Sequence, residues 1–467
     1  MQFVPSTLIA LIVCGVLIWR GPYKGMALFW AMTPLGAAAA FNLPAAGGAS
    51  ILLLDLATLT LFALLCLTPY GMARIAGAMR PFQPGFWLLL LLVYSIVATL
   101  FFPRLFAGQT EVFSLSRSAN DGGIISVPLR PTNGNLTQLF RILLGGMAFY
   151  AMAVLFRMRP SADLALKAVG TATVVHVGMG WLDLLTGMTG TTFLLEPLRS
   201  ANYAMLFEHR MMGIKRMVGG FPEASSFGYF SLGLFGFWLL YWINGTHSKR
   251  AGFALIMTGV VLLRSTSSSA YVALVVFLMT LALWHMVAGL KPNVPRRAAT
   301  ALIFGIMGAW FAAIAIFAAY HMVEPVTAYL DRTLFDKLDS QSGVERMSWN
   351  TQAWKNFLDT GMLGAGLGSV RASNWLLAVM ASLGVIGTAL WAFFLGATMR
   401  LPRRTDDPRR DAVIKGLKAG GLAMLVSGML TLATPDLGIT FFLMAGMAAG
   451  LSRGGVLVRY GHSDPVD

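Results

Sequence analysis

Apolar runs of roughly 17–22 residues recur along the whole chain, and nearly all of its charge is confined to the gaps between them. At about 1.5 Å per residue such a run, coiled as a helix, matches the ~30 Å hydrocarbon core of a bilayer. Only 12% of the 467 residues are charged and 57% are apolar, whereas soluble domains carry about 25% charged residues. So little charge cannot cover the surface of a soluble protein this long. The sequence therefore predicts an all-α, polytopic transmembrane bundle, a single integral membrane domain of about 12–14 spans.

Spans are expected near 3–19, 25–41, 51–67, 86–102, 139–156, 164–185, 226–243, 251–264, 270–289, 298–320, 374–396, 416–431 and 438–451. No basic residue precedes the first run and no small-residue cleavage site follows it, so it reads as a span and not as a cleaved leader. With the loop at Arg20 and Lys24 in the cytoplasm, alternation places 21 of the 35 Lys and Arg in cytoplasmic gaps, as the positive-inside rule requires. The N-terminus is then outside and the C-terminus inside. The net charge of +15 is explained by those loops and by anionic lipid, with no need for nucleic acid. Cys14 and Cys66 lie within apolar runs and read as small buried residues.

Three long segments, about 103–138, 186–225 and 321–373, fall on the outer side. The first reads as irregular. The second carries Glu208-His209-Arg210 and Lys215-Arg216. In the third, Ser342 to Glu345 fits a capping box, and Val344, Met347, Thr351, Trp354 and Leu358 share a face at helical spacing. That stripe suits a helix lying at a membrane surface. No Walker A loop, HExxH or His/Cys cluster is present, so neither ATP nor a tightly bound metal is expected, and no cofactor.

Outer arginines beside the spans carry the chemical signal: Arg199, Arg210, Arg216, Arg264, Arg346 and Arg371. A guanidinium keeps its charge and grips phosphate with a planar fork of donors. Each arginine alone could equally snorkel to headgroups. Arg216 opens the stretch to Gly228, where Gly219, Gly220 and Pro222 break the chain ahead of a span. Irregular backbone at that depth lines cavities, and Glu223 is either a carboxylate held there or a cap for the next helix. Arg264 precedes the Ser265–Ser269 patch, which is either a hydroxyl-rich site or a plain turn. Gly361, Gly364, Gly366 and Gly368 read as a flexible loop entering the span at Asn374. Asp436, in a short outer turn, could face the same pocket. Asp183 lies near an outer span end, and His176, inside a span, reads as packing.

Three stretches in this order resemble the O-antigen ligase/polymerase superfamily, the Wzy-like polymerases and related ligases of bacterial surface polysaccharides: Arg216 to Gly228, Leu263 to Leu274, and Glu345 to Gly387 with Arg346, Trp349, Trp354, Asn374 and Gly384-x-x-Gly387. They cover roughly 70 residues. Two departures stand out: Ser268-Ser269 replaces the Ser-Arg of many members, and Ser373 stands where ligases carry a His before the Asn. The second departure favours a polymerase. The resemblance implies a metal-independent glycosyltransferase at the outer face of the bacterial inner membrane. It would join oligosaccharides carried on undecaprenyl diphosphate, among membrane lipids and beside the flippase and chain-length regulator of the pathway. It implies that Arg216, Arg346 and Arg264 offset charge on the departing diphosphate, that Arg199, Arg210, Arg371 and Asn374 contact substrate, and that Glu223 or else Asp436 takes the acceptor's proton. A ligase, or a transporter of lipid-linked glycan or solute, is the alternative.

Overall fold

The computed structural model describes residues 1–44, 48–115, 124–203, 205–207, 210–211, 214–245, 249–289, 341–401, 405 and 407–459, with scattered positions between 307 and 331. Among the described residues the chain forms thirteen α-helices: α1 (Pro5–Ala31), α2 (Leu53–Leu67), α3 (Gly71–Ala78), α4 (Pro84–Leu105), α5 (Asn133–Met158), α6 (Ala162–Thr189), α7 (Ala224–Asn244), α8 (Lys249–Arg264), α9 (Ser268–Gly289), α10 (Gln341–Asp359), α11 (Trp375–Met399), α12 (Pro408–Thr431) and α13 (Ile439–Arg459). Three small antiparallel sheets accompany them: β1 (Gln2–Phe3), β2 (Ala39–Leu43) and β3 (Ala49–Leu52); β4 (Glu111–Leu115) with β5 (Ile124–Pro128); and β6 (Arg210–Met211) with β7 (Ile214–Lys215).

Seven of these helices are long and apolar enough to cross a membrane, or eight if α2 and α3, bent by 110° at their break, make one span. Shorter apolar stretches occupy Ser268–Trp284 and Ile439–Ser452. Polarity is arranged inside out. Ile12, Val97, Phe253, Ile256 and Met279 are exposed on the outside of the bundle, while Asp183, His176 and Ser231 are buried within it. Lipid, not water, satisfies such an exterior, and the protein is a multi-pass, all-α membrane bundle. The span expected near 298–320 lies almost wholly outside the described residues, as do Glu208 and His209.

Two helices double back on themselves at a glycine. In α1, Gly21 has φ 74° and ψ 167° and precedes Pro22. A Cβ on Gly25 would lie 2.7 Å from Leu17 Cδ2 and 3.6 Å from its Cα, although a straight helix separates these residues by about 12 Å. The two arms of α1 are therefore antiparallel, and β1 pairing with β2 (Gln2 with Asn42) closes the open end. The second arm stops at Ala31 and leads through Pro34 into a strand, so the expected span 25–41 is helical over only part of its length. Pro34 has no N–H for a helix and disfavours helical backbone before it.

In α11, Gly384 has φ 63° and ψ −162°. Trp375 and Trp391 would stand about 24 Å apart on a straight helix, yet their ring centroids lie 5.3 Å apart. The glycine-rich loop plugs this break. Ala365 N–H donates to Ala381 O (2.8 Å), Gly366 N–H to Ser382 O (2.9 Å) and Val385 N–H to Met362 O (3.0 Å). The loop expected to be flexible is thus docked, because its amides satisfy the carbonyls that the broken helix frees.

Close packing of small residues joins the main helix pairs. On the α7–α12 seam, a Cβ on Gly236 would lie 2.9 Å from Ala419 O and one on Gly416 2.9 Å from Phe237 O, the close backbone approach typical of helices packed in lipid. The segment 103–138, expected on the outer side, is not wholly irregular, since β4 and β5 pair antiparallel in it. Helix α10 buries Trp349, Ala353, Asn356 and Phe357, and leaves the stripe Val344, Met347, Trp354 and Leu358 exposed.

Loop contacts sort into two ends. At one, Tyr23 donates to Leu155 O (3.1 Å), the Arg159 guanidinium lies over the Tyr23 ring (5.5 Å), Arg157 Nη1 donates to Gly77 O (3.3 Å) and Arg409 pairs with Asp163 (2.7 Å). At the other, Asn135 Nδ2 donates to Leu367 O (2.6 Å), Thr110 to Asp359 (2.6 Å), Ala372 N–H to Ala433 O (3.3 Å), and Ala37 N–H to Gly220 O (2.8 Å). This second end gathers parts of all three long segments.

Candidate functional site

Asp183, near the C-terminal end of α6, organises the first of the three motif stretches. Its side chain is fully buried and receives Arg199 Nη2 at 2.6 Å and Lys215 Nζ at 3.1 Å. It also accepts the backbone N–H groups of Val218 (3.0 Å) and Gly219 (3.2 Å). Arg199 Nη2 donates in addition to Gly219 O (3.1 Å), and its guanidinium lies 4.1 Å from the centroid of Phe207. Arg264, the last residue of α8, donates to Lys215 O (3.1 Å). One carboxylate thus pins the segment 215–219 in an irregular path, with Lys215, half-buried Arg216, Arg199 and Arg264 around it. Arg210 is exposed in β6 and pairs across the sheet with Lys215.

These contacts revise the sequence reading. Arg199 is held by Asp183 and Gly219, a positioning contact that sequence reasoning did not foresee. Ser265, Thr266 and Ser267 are buried. The hydroxyls of Ser265 and Thr266 donate to Leu262 O (2.6 Å) and Ser265 O (2.8 Å), so that part of the patch is a turn. Glu223 occupies the N-cap of α7, but its carboxylate receives the hydroxyls of Ser225 and Ser226 instead of a backbone N–H. His176 bonds Ser231 (2.7 Å) and stacks on Phe227 at 4.3 Å, in keeping with packing.

The third stretch forms a second group. Asn350 Oδ1 accepts Ser373 N–H (2.7 Å), and Asn374 Oδ1 caps α11 by accepting Leu377 N–H (3.1 Å). Arg371 is exposed, with its guanidinium 5.7 Å from the Trp349 centroid. Half-buried Arg346 lies one turn before Asn350 on the same face of α10. Trp375 Nε1 donates to Pro435 O (3.0 Å), which ties this group to the α12–α13 turn.

Between the two groups lies a cavity of about 170 Å³ lined by Asp55, Arg141, Asp436 and the rings of Phe221, Tyr229 and Phe230, among others. Phe221 comes from the first motif stretch and Asp436 from the turn that holds Trp375. Asp55 is buried in the first turn of α2, where Oδ2 accepts Leu52 N–H (2.9 Å). Asp436 Oδ1 accepts Gly438 N–H (2.9 Å). Burial pushes the Asp436 carboxyl above the usual carboxylate range, while the Gly438 N–H and Arg141 pull against that shift. Tyr229, also on the wall, donates to Leu437 O (2.6 Å) and fixes the turn.

Of the residues expected at a site, the structure brings Asp436 to this cavity. Glu223, Arg216, Arg264, Arg346 and Arg371 are not among its lining residues. Asp55 and Arg141 were missed, although a signal existed. Each is the lone charge in an apolar run, 51–67 and 139–156, and an ionisable group inside a span marks function by default. Among the described residues no group of three or more His, Cys, Asp or Glu could hold a metal ion. Compared with known proteins, the chain matches no family model and no curated relative.

Proposed function

We propose that this protein is a membrane glycosyltransferase of the O-antigen polymerase type. It joins oligosaccharide repeats carried on undecaprenyl diphosphate at the outer face of the bacterial inner membrane, beside a flippase and a chain-length regulator. The observation that carries this reading is the convergence of two distant motif stretches on one end of the bundle. A cationic segment, 215–219, runs directly into the wall of a cavity that holds the carboxylate of Asp436.

Asp436 removes a proton from an acceptor hydroxyl. The oxygen bonds to the donor's anomeric carbon, and the bond from that carbon to the phosphate oxygen breaks. Polyprenyl diphosphate leaves with the electron pair, its charge offset by Arg216, with Arg264 and Arg346 in support. The raised pKa of Asp436 suits a base that works nearer neutrality than an ordinary carboxylate.

Extraction and sizing of lipid-linked glycans from a deletion strain tests the class. Single repeats accumulating on the carrier at the outer face are expected. Long chains stranded on the carrier would instead identify a ligase, and single repeats trapped on the inner face a transporter.

A further inference from the structure

The charge around the loop from Lys215 to Phe221 is segregated. On one side Lys215, Arg216, Arg199 and Arg264 gather, and Asp183 pairs there with Arg199 and Lys215 while Arg264 donates to Lys215 O. On the other side the cavity is lined by two acids, Asp55 and Asp436, and one base, Arg141, a formal excess of one negative charge (2 − 1). Among the described residues no ion pair within 4.0 Å joins Arg141 to either acid.

Each cavity carboxylate uses one oxygen on a backbone N–H, from Leu52 or from Gly438. Asp55, a side chain 99% buried, lines the cavity, and Leu52 N–H occupies its Oδ2. A carboxylate on a cavity wall accepts hydrogen bonds, so a ligand that brings donors is favoured. Hydroxyl groups are such donors. Phe221, Phe230 and Tyr229 supply flat apolar walls. The volume, about 170 Å³, is ample for several waters and admits one small ring.

We propose that the Asp55–Arg141–Asp436 cavity is a subsite for one uncharged sugar ring, the hydroxyl-bearing acceptor end, and that it excludes the diphosphate, which stays on the cationic side of the loop. Asp55 and Arg141 are positioning residues here: Asp55 accepts from ring hydroxyls and Arg141 donates to a ring or hydroxyl oxygen. The assignment of this ring as acceptor rests on the polymerase reading; the preference for an uncharged ring does not.

Saturation-transfer NMR on the full chain in nanodiscs tests it, with methyl glycosides of glucose, galactose, mannose and N-acetylglucosamine as neutral probes, methyl glucuronide as the anionic one, and inorganic pyrophosphate as competitor. At least one neutral glycoside is expected to bind, and Asp55→Asn to weaken it on the order of tenfold, as for loss of a hydrogen bond to a charged group. Asn keeps an oxygen for Leu52 N–H, which protects the helix start, and Arg141→Lys serves as a second variant should Asp55→Asn fail to fold. Pyrophosphate should not displace the sugar. Preferential binding of the glucuronide, displacement by pyrophosphate, or glycoside signals indifferent to both variants would each overturn the subsite. A deletion strain that behaves as a transporter mutant, with glycoside binding intact, would overturn the polymerase reading and leave the subsite standing.

Discussion

Asp183 shows how much one buried carboxylate can organise. It holds two cations and two backbone amides of the segment 215–219. Asp183→Ala leaves Arg199 and Lys215 without their counter-ion, and breaking a buried pair in this way costs about 3–5 kcal/mol. The expected result is a clear drop in thermal stability of the detergent-solubilised protein, larger than for Arg371→Ala, whose side chain is exposed. Equal effects would mean that Asp183 does not pin the loop. Asp436 makes a prediction about pH. Its folded pKa lies above the unfolded value of about 3.9. The folded state therefore binds more protons in the interval between them, and stability falls as pH rises from the unfolded pKa through the folded one, then levels. Unfolding measured across mildly acidic pH should show that decline in the wild type and a flatter profile in Asp436→Asn. On the proposed reading, transferase activity should run the opposite way, rising as the carboxyl ionises.

At the scale of elements, the two glycine reversals differ in what surrounds them. Both Gly21 and Gly384 adopt backbone angles that other residues reach only at about 1–3 kcal/mol. A Cβ on Gly21 meets nothing within 4 Å, whereas one on Gly384 would lie 2.3 Å from Met362 O. Gly384→Ala must therefore also expel the docked loop. Its loss of stability is expected to exceed that of Gly21→Ala by at least about 1 kcal/mol, read from thermal unfolding of the two variants side by side. Parity between them would show that the loop 361–368 is not wedged into α11. The exposed apolar stripe on α10 belongs to this scale too. Its opposite face already packs on the protein, and an exposed apolar stripe of this kind suits a membrane interface.

For the whole molecule, the division of loop contacts into two ends gives a topology test. If the basic end is cytoplasmic, cysteines introduced at Gln109 and Asn133 should react with an impermeant thiol reagent in intact spheroplasts. Cysteines at Arg80 and Asp407 should react only after lysis. All four positions are exposed. Labelling of Arg80→Cys in intact cells would reverse the orientation or break the bundle as described.

The sequence by itself determined the class of fold. The runs that gave α2, α4 to α9 and α12 were legible because backbone groups in lipid must bond within their own segment, which makes a long apolar run a helix. Arg20 and Lys24 marked the reversal in α1, and helical spacing marked α10, though the stripe it revealed proved to be the outward face. Local pattern could not show that Gly384 reverses α11, because a glycine in an apolar run also fits a straight helix. Nor could it show that Asp183 claims Arg199, a pairing between residues brought together only when α6 and the loop after it fold back. The cavity was hidden for the same reason. Asp55, Arg141 and Asp436 come from α2, α5 and the α12–α13 turn, and a lone charge in a span declares that it needs a partner without saying which one. Leu52 and Gly438, whose N–H groups Asp55 and Asp436 accept, are near in sequence. Only the packing of distant helices set the three charges around one cavity, because a charge in lipid is costly and the tertiary fold alone decides where such groups gather.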